Sequence, residues 1–190
     1  MRTGIVPTPT VGLTTAADAL RDEEVERTRG FIRIGWIVAA FSIVAAHLLP
    51  GDRKLAVLLA GAIGVTAVAS FVVERALVGA KEVRGWMMTT LALMCVGCGA
   101  LAILYSGAFG GAPLMICLGI YFFGRTERRA AAIAVYLAAA GAHAVIAGLV
   151  LSGTMADPGF LPVRASVGLQ AAVAGQLCTQ FGYIMACWLA

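Results

Sequence analysis

Apolar and polar positions alternate in long blocks along this chain. Six apolar segments, 30–49, 55–73, 85–105, 108–124, 130–151 and 165–190, are separated by short stretches that hold most of the charge. Each segment is close to the 17–25 residues that a helix needs to cross the ~30 Å hydrocarbon core of a bilayer. The pattern therefore predicts an all-α fold, a polytopic membrane helix bundle with six transmembrane helices in residues 30–190. The glycine-rich stretch Ser106–Pro113 must supply both a turn and part of the fourth span, so that boundary can move by several residues.

Ahead of the first apolar block the chain changes character twice. Residues 1–14 hold Pro7, Pro9, Gly4, Gly12 and four threonines without any apolar period, which predicts a disordered tail. From Thr15 a capping-box pattern with Asp18 leads into helix formers, and residues 15–29 are expected to form a short, charged, amphipathic helix on the cytoplasmic side. Acidic residues come first and Arg27, Arg29 and Arg33 last, the order that the helix dipole favours. The first apolar block is long enough to stay in the bilayer and is expected to act as a signal anchor, with no cleavable leader before it.

Loop charge sets the expected orientation. The leading segment with Arg21, Arg27, Arg29 and Arg33, the second connection with Arg75, Lys81 and Arg84, and the fourth with Arg125, Arg128 and Arg129 carry ten of the fourteen basic residues. The alternate connections hold only Arg53 and Lys54, then nothing, then Arg164. The positive-inside rule places the richer set, and with it both termini, in the cytoplasm.

The last segment, Ala165–Ala190, has 26 residues and no charge. Within it Gly168, Gly175 and Gly182 recur every seven residues, so three positions without side chains fall near one line and offer a groove for another helix, such as that of a second copy in a homodimer. Gln176 and Gln180 share a flank of the same helix, as interhelical glue or as a signalling site.

Composition narrows the chemistry. The chain is 61% apolar and 13% charged, too apolar to coat a soluble globule, so its first partner is the lipid bilayer. A net charge of +4 does not indicate nucleic acid, because the basic residues are spread over short loops. All five cysteines lie inside apolar spans and are read as free thiols. Cys95-x-x-Cys98 has redox or zinc spacing, but a desolvated thiol resists ionisation, and packing is the plainer reading. His47 and His143 are the two histidines and thus the candidate ligands for haem or a metal. They sit at different depths of their spans, which favours an interfacial role for His47 and a bond from His143 to a neighbouring helix carbonyl. No Asp, Glu, Lys or Arg lies deep in a span, which weighs against pumps and ion-coupled transporters. No catalytic motif, no cofactor site and no metal site is legible.

Three stretches carry a resemblance. The charged helix Glu23–Arg33, the basic connection Gly124–Arg129 and the terminal Gln180–Ala190, set among six spans with minimal outer loops, resemble the N-terminal membrane domains of bacterial signalling proteins. The arrangement is most similar to those ahead of receptor serine/threonine protein kinases or class III adenylate cyclases of myxobacterial type. That resemblance implies a multi-pass protein of the bacterial inner membrane, a sensor or anchor module passing a helix-packing change to a cytoplasmic effector. It also implies that the sixth helix would run on into a coiled coil and a kinase or cyclase domain beyond Ala190. A small transporter or channel, or an accessory subunit of a membrane complex, is the alternative expectation.

Overall fold

The computed structural model describes residues 16–78, 84–124, 129–159 and 163–189. Within them the chain forms six helices and no strand: α1 (Ala16–Leu48), α2 (Arg53–Leu77), α3 (Gly85–Ser106), α4 (Ala112–Gly124), α5 (Arg129–Leu151) and α6 (Val163–Leu189). The disordered tail expected over 1–14, most of the basic connection Gly124–Arg129, and Ala190 lie outside the described residues.

Four helices, α1, α2, α3 and α5, are long and apolar enough to cross a membrane, which makes this a membrane protein. α4 spans 13 residues, about 20 Å of helix, and begins at Ala112 where the sequence pattern begins the segment at Ala108. The difference follows from Gly107, whose φ of 106° ends α3, and from the turn after it, where the Gly110 amide donates to the Gly107 carbonyl. α6 is long, but Gln170, Gln176 and Gln180 dilute its apolar character.

The charged segment and the first apolar block merge into one helix, α1, of 33 residues. α2 starts on a side-chain cap, in which Oδ1 of Asp52 accepts from the amides of Lys54 and Leu55. α3 is the shared helix, packing against α2 on one side and against α4 and α5 on the other; α6 packs on α4 and α5, and α1 lies along α2.

Lipid tails are as apolar as the helices, so bundle cohesion comes from close packing and interhelical hydrogen bonds. At one end of the bundle Phe31 of α1 stacks on Phe122 of α4 with ring centroids 3.6 Å apart, and Phe123 meets both rings edge-on. Nε1 of Trp36 donates to Oγ of Ser70, tying α1 to α2, and the Arg33 guanidinium reaches Glu74 at 3.4 Å. At the other end the hydroxyl of Tyr105 donates to the carbonyls of Ala46 and Leu49, the open end of α1. Gly51 lies directly against the Tyr105 ring, where a Cβ would overlap it.

Candidate functional site

α5 turns a stripe of small residues to the interior: Ala132, Val135, Ala139, Ala147 and Val150 are buried at helical spacing, and His143 is the one polar residue in that line. Small neighbours let α6 approach closely enough for Tyr183, fully buried, to reach the imidazole. Tyr183 Oη lies 3.0 Å from His143 Nδ1, and Nε2 lies 2.9 Å from the carbonyl oxygen of Ala108. A carbonyl only accepts, so Nε2 carries the proton and Nδ1 is left to accept from the tyrosine hydroxyl, a tautomer assigned from the partner each nitrogen faces.

The chain of bonds continues past the histidine. Ala108 sits in the buried turn between α3 and α4, where no helix satisfies its backbone. Its amide donates to Oδ1 of Asp157 at 3.4 Å, and the same oxygen accepts from the amide of Gly159 at 3.3 Å. Gly159 crosses the Gly107 backbone so closely that a Cβ there would overlap it. The residues of the α5–α6 connection thus clamp the α3–α4 turn, and His143 and Asp157 satisfy the two polar groups of Ala108. Oδ2 of Asp157 and Oγ of Ser106 are buried there without a partner among the described residues.

The other sequence candidates fall in several places. His47 is exposed near the end of α1, and its Nδ1–H donates to the carbonyl of Ile43 one turn back. His143 bonds to a turn carbonyl where the sequence pointed to a helix carbonyl. The two histidines occupy α1 and α5, which do not pack on each other, so the fold does not bring them together. Among the described residues no group of three or more His, Cys, Asp or Glu side chains is placed to hold a metal. All five cysteines are free, and Sγ of Cys98 lies 3.2 Å from Oγ1 of Thr66.

On α6 the amide of Gln180 donates to the carbonyl of Ala140 at 3.3 Å, which glues α6 to α5, whereas Oε1 of Gln176 is buried without a partner among the described residues. The glycine line is less uniform than its heptad spacing. Gly168 takes φ 75° and ψ 167°, outside the helical range, and breaks the helix there. Gly175 faces open space, and Gly182 turns toward Sγ of Cys117 on α4, 3.6 Å from where a Cβ would stand.

A second feature has no counterpart in the sequence reading. A cavity of about 420 Å³ lies between α1, α2, α3 and α4, with Val135 and Ala139 of α5 on its floor. Phe31 and Phe123 close one end, and Leu49, Tyr105 and Ser106 stand at the other. Its walls include Gly35, Ala39, Ser42 and Ala46 of α1, Gly99 and Ala102 of α3, and Gly119 of α4. Small residues at spacings of four, three and four on α1 are the signal from which the space was legible: where no facing side chain is large, the helices leave a hole.

Comparison with protein-family models, curated proteins and solved structures finds no match to this chain.

Proposed function

We propose that the chain is a membrane-embedded sensor or anchor module that relays a helix-packing change through α6 to a cytoplasmic effector, in cis or in trans. The observation that carries this reading is the buried Tyr183–His143–Ala108 bond series. It joins Tyr183, in the last two turns of α6, through His143 to the α3–α4 turn and its clamp. A disturbance at that clamp moves the Ala108 carbonyl, the carbonyl displaces the imidazole, and the imidazole is the partner of the buried Tyr183 hydroxyl on α6. A two-state relay needs such an element with discrete arrangements, which a directional hydrogen bond supplies and a greasy contact does not.

In this reading α4 and α6 complete six spans and the protein is multi-pass in the bacterial inner membrane. The basic loops lie inside, and the Asp157 clamp faces the periplasm. The effector would be a kinase or cyclase domain, as the resemblance implies. Gly175, open on α6, is the surface through which a second copy would dock.

The test is a fusion in which a dimerisation-dependent nucleotide cyclase follows α6 in a bacterial host. His143→Phe and Gly175→Leu are each expected to change cyclic-nucleotide output several-fold at equal membrane expression. Unchanged output from both variants would overturn the relay.

A further inference from the structure

The cavity is long for its volume. Its lining runs from Phe31 on α1 to Leu49 just past the end of that helix, eighteen helical steps or about 27 Å, and its walls are almost wholly apolar. The seam between α1 and α4 opens it sideways, because α1 packs along α2 and Ile34, Met115 and Leu118 at the rim are all more than half exposed.

We infer that this cavity holds one acyl chain of an anionic phospholipid, whose second chain lies outside the seam against α4 and whose phosphate is held at the α1–α2 turn. The length, the apolar walls and the lateral opening of the cavity specify the chain. The head is specified by charge: Arg53 and Lys54 are exposed at the start of α2, four and five residues beyond the cavity-lining Leu49. Of the carboxylates at that end, Oδ1 of Asp52 accepts from the Lys54 and Leu55 amides and Oδ1 of Asp157 from those of Ala108 and Gly159, while Oδ2 of Asp157 is buried away from the basic pair. Between chain and head, the hydroxyl of Ser106, without a partner among the described residues, lines the same end of the cavity and is a donor for an ester carbonyl, the group that follows the phosphate into the bilayer. The site rests on the cavity and not on the relay proposed above.

Native mass spectrometry tests it, on the full chain purified in mild detergent with equimolar dioleoyl phosphatidylglycerol and dioleoyl phosphatidylcholine. One phosphatidylglycerol per chain is expected to be retained, with a preference of about tenfold from two basic side chains near the anionic head. Gly119→Leu places a side chain in open space in the cavity and is expected to abolish retention, and Gly141→Leu, outside it, to leave retention intact. If Gly119→Leu does not fold, Gly35→Leu fills the same space from α1. Arg53→Gln with Lys54→Gln is expected to keep one bound lipid and lose the preference between heads. Retention by a folded cavity-filling variant equal to that of the unaltered protein would overturn the site, as would no retained lipid. Equal retention of the two lipids by the unaltered protein would overturn the head assignment. A loss of lipid retention leaves the Tyr183–His143 bond and the fusion test untouched, so the two proposals fail separately.

Discussion

Tyr183 and His143 are the only large polar pair of this bundle in which both partners are buried to 1% exposure or less, and they face each other from α6 and α5 at 3.0 Å among the described residues. A buried acceptor that loses its donor costs about 1–3 kcal/mol in soluble proteins, whereas interhelical bonds in membranes average about 0.6 and reach about 1.7 kcal/mol. Tyr183→Phe is therefore expected to destabilise the fold by about 1 kcal/mol in reversible SDS unfolding. His143→Phe removes a partner from both Tyr183 and Ala108 and is expected to cost about 2 kcal/mol or more. The double variant should cost less than the sum, since the pair acts as a unit.

Gly159→Ala is expected to prevent folding or lower stability by about 3 kcal/mol, because the new methyl group meets the Gly107 and Ser106 backbone rather than the end of a flexible side chain. Gly153→Ala serves as the contrast. Its φ of 77° favours glycine, but the space around it is open, so a cost of about 1 kcal/mol is expected. Equal melting temperatures for the two variants would contradict the clamp.

Removing the hydroxyl in Tyr105→Phe frees the carbonyls of Ala46 and Leu49. Amide hydrogen exchange is expected to rise in the α1–α2 turn, over residues 49–55, while exchange in α5 stays as before.

Gly175→Leu and Gly182→Leu separate the two faces of α6. The first enters open space and is expected to leave the stability of the single chain unchanged while weakening self-association in detergent, read by analytical ultracentrifugation. The second pushes into Cys117 on α4 and is expected to lower the unfolding midpoint.

The apolar blocks made the helices legible, because a bilayer admits few other ways to satisfy the backbone. Helix ends were less so. Residues 15–29 and the first block merge into α1 because nothing between Arg29 and Phe31 stops a helix; Gly30, alone, does not. Conversely, α4 lost its first turn to Gly107 and the turn behind it, an outcome of φ at one residue that hydropathy does not register. At the site, His143 stood out as one of two histidines, but its partners lie 35 and 40 residues away in sequence, and spacing along one helix says nothing about a carbonyl in a distant turn. The heptad glycines were visible as a line, yet only geometry divides them into a break, an open position and a contact.

The unbroken course of α1 has a mechanical consequence. At 33 residues it is about 50 Å long, against ~30 Å of hydrocarbon, so a stiff arm reaches past the Phe31–Phe122 stack. With that aromatic stack as fulcrum, Ala16 lies about 22 Å out along the arm, and a tilt of ~10° would swing it by about 4 Å. A small rearrangement among the aromatic rings would in this way become a displacement of several ångströms at the far end of α1.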